Sequence, residues 1–284
     1  MFITFRPIFE ALESYQALQL SSVHAIHGNP FACVAVVFDR HEENAESEMG
    51  KLILHTLCPA GVIVLSSLAE RSVCFSSLIL LSHTGFDAPF NEIRPTRVIH
   101  SGILLASRLK SAWHLAPDFV TKSNFSLVDQ LTILLRKGRR EIINEKEMLA
   151  CIREESGNKS FDLKLVSFEG GQRLPLRESL DVISRSLGIV GVHGAGLTNA
   201  MFLPPVSILI EIRVGYARAP FRQLCKQFGI AYLEVPRTFV SESGVTWPIR
   251  DDRDRKVVVD DVKGLGSLVS FGVKTVVRLR SVLP

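Results

Sequence analysis

Little in this 284-residue chain marks it for a metal, a disulfide framework or a nucleic acid. Its five cysteines, Cys33, Cys58, Cys74, Cys151 and Cys225, lie far apart and form no CxxC pair. Zinc sites and dense disulfide scaffolds need paired spacing, so buried thiols are the simpler reading, although an oxidising lumen would allow one or two bridges. A charge excess is also missing: 33 Lys plus Arg against 29 Asp plus Glu leave +4, scattered along the chain. That is no footprint for nucleic acid, while small anionic ligands remain suitable partners. No GxSxG elbow occurs, which argues against a serine hydrolase. Met1-Phe-Ile-Thr-Phe-Arg6-Pro7 carries neither a long apolar stretch nor a small-residue cleavage site, so nothing in the sequence as written targets the chain. Internal repeats and low-complexity tracts are absent as well.

One long charge-free run is present, between Arg185 and Glu211. Its four glycines, His193, Asn199 and Pro204-Pro205 would leave backbone groups unsatisfied in lipid, whereas buried strands of a parallel sheet are expected to be this apolar. Within it, Gly188-Ile-Val-Gly-Val-His193-Gly-Ala195-Gly196-Leu-Thr-Asn199 reads as strand, glycine turn and short helix. Pro204-Pro205 stops the helix, and a strand from Ser207 to Glu211 follows. Free N–H groups and the helix dipole at such a start favour a phosphate or another anion.

From about Leu127 the chain alternates short apolar runs with amphipathic segments, the pattern of a parallel α/β sheet. Strands are expected at Leu131 to Leu135, Leu163 to Phe168, Leu187 to Val192, Ile208 to Ile212 and Ala231 to Val235. Helices are expected near Glu145 to Glu155, Arg173 to Arg185, Leu197 to Phe202 and Ala217 to Phe228. Asn144 can cap the first, Glu147 completes a capping box, and Ile143 can staple to Met148. Residues 1–120, with apolar runs at Phe31 to Phe38, Leu52 to Leu57, Gly61 to Leu65 and Ser72 to Leu81, suggest a second α/β lobe. Glu42 to Glu48 reads as a solvated acidic loop and Ala116 to Ser126 as a linker. Residues 127–237 then form the regular lobe, and 238–284 a tail packing back across the lobes.

The strand Leu131 to Leu135 runs into Arg136-Lys137-Gly138-Arg139-Arg140. In a parallel sheet this turn and the His193 turn share the carboxyl edge, where ligands bind. Arginine forks match phosphate oxygens and lysine adds a point charge, so a diphosphate would be held here; a solvated basic turn is the alternative. His193, Gly194, Ala195, Gly196 and Asn199 offer close backbone approach, and Glu211 is an acceptor for ribose hydroxyls or a salt-bridge partner for Arg213 or another cation. A dinucleotide fingerprint fails, because Gly194-Ala-Gly196-Leu-Thr-Asn199 lacks the third glycine. Asp252-Arg-Asp254 superficially matches a metal-binding DxD but sits in the charged run Arg250 to Lys256, without the apolar strand such a motif ends, and reads as a solvated loop. Asn124-Phe-Ser126 and Asn158-Lys-Ser160 fit the glycosylation sequon, a pattern that chance often produces.

Together, Leu131 to Leu149, the strand Leu163 to Phe168, and Val190 through His193-Gly-Ala-Gly196 to Ile212 resemble glycosyltransferase family 61 in order, spacing and content. Ser72-Val-Cys74-Phe resembles a further family segment. The resemblance implies a GT-B-like fold of two Rossmann-like lobes, with the UDP-sugar donor in the C-terminal one. It implies inversion at the anomeric carbon with neither an essential metal nor another cofactor. It assigns Arg136 and Arg140 to the donor diphosphate, Val166 and Ser167 to the border of the base, and the turn from His193 to Asn199 to the diphosphate and sugar; Lys137, Asn144 and Glu211 join the expected donor site by their positions in the sequence. The family's Gln ahead of the next helix is replaced by Glu178, and its His- and Asp-bearing first segment begins midway, at Phe5 to Leu12, so an incomplete N-terminal lobe is expected. No catalytic base is identified; Glu10, His24, His27 and Asp39 are remote candidates.

Two function classes follow. One is an inverting transferase moving GlcNAc or a pentose from a UDP-sugar to a glycoprotein or glycan in the secretory pathway, Golgi or endoplasmic reticulum, with membrane association only through an N-terminal anchor outside this sequence. The other is an inactive nucleotide-sugar-binding relative.

Overall fold

The computed structural model describes residues 34–37, 61–64, 106–107, 109–115, 130–138, 140–157, 161–167, 174–213, 220–243 and 256–282. Cys33, Cys58, Cys74, both sequons, the Asp252 to Asp254 run, Arg139, Glu10, His24, His27 and Asp39 lie outside these residues. The chain divides into two units, Phe2–His114 and Leu115–Pro284. In the first, β1 (Val34–Val37) and β2 (Gly61–Val64) pair in parallel, inside two of the expected apolar runs.

The second unit is built on five parallel strands: β3 (Gln130–Leu135), β4 (Asp162–Ser167), β5 (Gly188–Val192), β6 (Ile208–Ile212) and β7 (Ala231–Glu234). Their order across the sheet is β4-β3-β5-β6-β7. All five lie within a residue or two of the expected apolar runs. Every residue of β5 and β6 is buried, which is why these central strands are almost wholly apolar. Gly188 permits their close approach, since a Cβ there would lie 2.4 Å from the Ile208 carbonyl oxygen.

Helices α1 (Glu145–Glu155), α2 (Leu176–Ser184) and α3 (Pro220–Phe228) fall where expected, the first with the same boundaries. The segment after the glycine turn is a 3-10 helix, Ala195–Phe202. Two corrections concern the start of α1. Asn144 makes no side-chain cap; its amide instead donates to Val259 O at 2.8 Å while its Oδ1 accepts from Val259 N at 3.0 Å, imitating a strand partner. Ile143, meant to staple onto Met148, is 58% exposed while Met148 is buried.

The tail holds elements that no apolar period announced. Strands β8 (Val240–Ser243) and β9 (Lys256–Val259) pair antiparallel, and α4 (Val262–Val282) follows. Leu265, Val269, Val273 and Val276 of α4 join Met148, Leu149 and Ile152 of α1 over Ile208, Ile210 and Ile212 of β6 in one apolar cluster. Gly266 and Gly272 let α4 sit close, for a Cβ at either would come within 2.9 Å of Glu155 or Ile208. Although α4 is 21 residues long, no described helix is long and apolar enough to cross a membrane.

Candidate functional site

Counted from β3, the strand order is 2-1-3-4-5, so the chain reverses its direction of travel across the sheet between β3 and β5. In open α/β sheets the crevice beyond the carboxyl ends at such a switch point is where ligands bind. Register fixes what stands there: Leu134 lies opposite both Val166 and Gly191, so Arg136 after β3, Ser167 at the end of β4 and His193 after β5 leave the sheet at one level.

Two of the predicted cations converge there. Arg136 Nη1 donates to the His193 carbonyl oxygen at 3.1 Å and Arg140 Nη1 to the same oxygen at 3.0 Å. Bringing two guanidiniums onto one neutral acceptor concentrates positive charge beside the glycine turn. Gly194 makes room for it, because a Cβ at that position would lie 1.9 Å from Arg136 Nη1. Arg140 reaches in from a left-handed backbone conformation with φ 53°, uncommon for a residue with a side chain and worth about 1–3 kcal/mol of strain.

The strained turn is braced by β9. Val257 bonds Ile143 and Glu141 through the backbone, and Lys256 Nζ donates to Gly138 O at 2.7 Å and to Glu141 Oε2 at 2.8 Å. The Lys256 hydrogen bond holds the Glu141 carboxyl below its usual range. Lys137, predicted to help hold a ligand, pairs with Glu145 at 3.0 Å and is half exposed; that hydrogen bond raises its pKa.

His193 itself is fixed from below. Its backbone N–H donates to Ile212 O at 2.9 Å, and its ring packs edge-on against Phe221 with centroids 5.3 Å apart. Its Nδ1 lies 2.5 Å from Oε1 of Glu211, whose Oε2 receives the Tyr232 hydroxyl, also at 2.5 Å. Glu211 has no exposed surface. This carboxylate holds a histidine, a cation when protonated, and a tyrosine, while Arg213 Nη1 donates to both oxygens of Glu234 at 2.9 and 2.8 Å. Burial and the Glu211 hydrogen bond push the Tyr232 hydroxyl well above its ordinary range.

Of the remaining predicted residues, Ala195 and Gly196 open the 3-10 helix, where the first N–H groups have no intrahelical acceptor. Asn199 is fully buried and turns its amide back onto Gly196 O at 2.9 Å. Val166 is buried and Ser167 half-buried at the end of β4, while Asn144 is engaged by β9. Tyr232, Phe221 and Lys256 were not anticipated. Only the sheet order, which places β7 beside β6, reveals that Tyr232 shares a face with Glu211.

Comparison with known proteins identifies the family. The family model of Glycosyltransferase 61 matches residues 34–210, more than half of the chain. The EGF domain-specific O-linked N-acetylglucosamine transferase of Drosophila melanogaster is 31% identical over 104 residues, covering 36% of this chain. Its counterpart in Gallus gallus is 29% identical over 105 residues, covering 37%. The matched segment spans only 19% of the length of either relative. The match runs from β1 into β6 and takes in the glycine turn at the switch point, and the chain belongs to glycosyltransferase family 61.

Proposed function

We propose that the unit Leu115–Pro284 carries the donor site of an inverting glycosyltransferase that moves GlcNAc or a pentose from a UDP-sugar to a glycoprotein or glycan hydroxyl. The observation that carries this reading is the convergence of Arg136 and Arg140 on the His193 carbonyl, at the switch point and above a glycine that leaves room for it. A diphosphate brought to this turn would meet two arginine forks and the opening N–H groups of the 3-10 helix. Val166 and Ser167 border the nucleoside, and the segment Gly194 to Asn199 faces the diphosphate and sugar.

In an inverting displacement the acceptor oxygen attacks the anomeric carbon while the nucleoside diphosphate leaves with the bonding electrons. Charge grows on the diphosphate in the transition state, so fixed guanidiniums there accelerate transfer as well as bind. Such fixed positive charge serves the role a divalent cation plays elsewhere, and we take the reaction to need no essential metal or other cofactor. The matched relatives are named for O-linked N-acetylglucosamine transfer specific to EGF domains, which supports a glycoprotein acceptor; a two-lobed GT-B architecture and a secretory-pathway address are part of the same proposal, by family membership. The test is UDP titration of the wild type, Arg136→Ala and Arg140→Ala, together with turnover of UDP-sugars on a panel of acceptors. Weakened UDP binding in the variants and transfer by the wild type support the reading. Tight UDP binding without transfer by the folded protein assigns the chain to the binding-only class.

A further inference from the structure

The group beneath His193 is more elaborate than a structural histidine needs. Glu211 is fully buried on the central strand β6, and both of its oxygens are occupied, one by His193 and one by the Tyr232 hydroxyl. Burying a carboxylate is costly unless it is paired and hydrogen-bonded, and an apolar side chain of similar volume usually packs there at no loss of stability. Arg213 Nη1 donates to both carboxylate oxygens of Glu234. Arg222 lies over the Tyr232 ring at 5.4 Å, and Cys225, on the α3 side, is a buried thiol whose pKa is raised by burial and then by the Glu211 charge. His193, only 14% exposed, is thus the group that Glu211 meets directly besides Tyr232. With Nδ1 taken, Nε2 is the ring nitrogen left for a ligand and has no hydrogen-bond partner among the described residues. Arg136 and Arg140 stand on the carbonyl of this same residue.

We propose that Glu211 and Tyr232 are positioning residues that hold His193 doubly protonated in the donor complex, so that Nε2–H donates to the diphosphate oxygen from which the sugar departs. The proposal rests on the donor-site reading above. A phosphate oxygen offers no hydrogen at neutral pH, so a histidine that bonds an ionised Glu211 through one nitrogen and a phosphate through the other donates from both. The buried carboxylate is the counter-charge that makes this form stable, and the Tyr232 hydroxyl fixes the carboxylate in turn. When the C1–O bond breaks, its electron pair stays on the diphosphate, the acceptor oxygen supplies the new bond at C1, and the acceptor's proton passes to solvent. The ring keeps both protons throughout and acts, with the two guanidiniums, on the growing charge.

The test is nitrogen-15 NMR of the imidazoles with UDP added, alongside UDP affinity measured across pH, for the wild type, Glu211→Gln and Tyr232→Phe. The wild type should show both ring nitrogens of His193 protonated in the UDP complex. Glu211→Gln should lose that signature and bind UDP about 10- to 100-fold more weakly, the worth of one charge-assisted hydrogen bond. Tyr232→Phe should weaken binding by roughly 3- to 10-fold, the worth of an ordinary one, and it carries the test alone if the first variant does not fold. A neutral His193 ring in the UDP complex, or variants that bind as the wild type does, would overturn the proposal while leaving the donor site standing. Failure of the wild type to bind UDP would overturn the donor site, and this proposal with it.

Discussion

Replacing Gly194 by alanine separates the binding role of the glycine turn from its folding role. The added Cβ would lie 1.9 Å from Arg136 Nη1 and 3.0 Å from its Cζ. Comfortable contact is about 3.5 Å, so the guanidinium must retreat by roughly 1.5 Å, and its 3.1 Å bond to the His193 carbonyl breaks. The atom that moves is the far end of a flexible side chain, and Gly194 has an extended backbone, φ 161° and ψ 169°, that alanine adopts. The fold should therefore lose no more than about 1 kcal/mol, the net worth of one hydrogen bond. UDP binding should lose a charge-assisted contact of about 1.5–3 kcal/mol, which weakens Kd by roughly 10- to 100-fold. Calorimetric titration with UDP beside a thermal melt reads both quantities. A variant that melts and binds like the wild type would show that Arg136 does not meet the phosphates.

Two further outcomes follow from the same structure. Gly188→Ala forces a Cβ to 2.4 Å from the Ile208 backbone oxygen, and strand backbone cannot step aside, so it should destabilise by about 1–3 kcal/mol or more; an unchanged Tm would refute the close approach of β5 and β6. The raised Tyr232 hydroxyl keeps its proton at pH values where an unfolded tyrosine, near pH 10, has lost it. Its contribution to stability is thus complete below pH 10 and declines as pH rises further, and in an absorbance titration Tyr232→Phe should remove a phenol that ionises above the ordinary tyrosine range.

The parallel sheet was legible because burial on both faces forces continuous apolar runs in β3, β5 and β6, and the basic and glycine turns that end two of them sit at the only edge such a sheet offers a ligand. The tail was not. Gly264, Gly266 and Gly272, together with β-branched Val262, Val269, Val273 and Val276, each lower helix propensity, yet α4 forms because its glycines allow close packing on α1 and β6. The Asn144 cap failed for a related reason: the side chain suited to a local cap found a strand, β9, more than a hundred residues away. Tyr232 was hidden because period-2 alternation gives a face but not a neighbour, and it takes the strand order to set β7 beside Glu211.

The account depends most on Arg136 and Arg140 forming one phosphate site with the His193 turn. Titrating UDP into the wild type, Arg136→Ala and Arg140→Ala tests this directly. Each substitution should weaken binding about tenfold or more while the thermal transition moves little. Equal affinity for UDP in all three proteins would contradict the account.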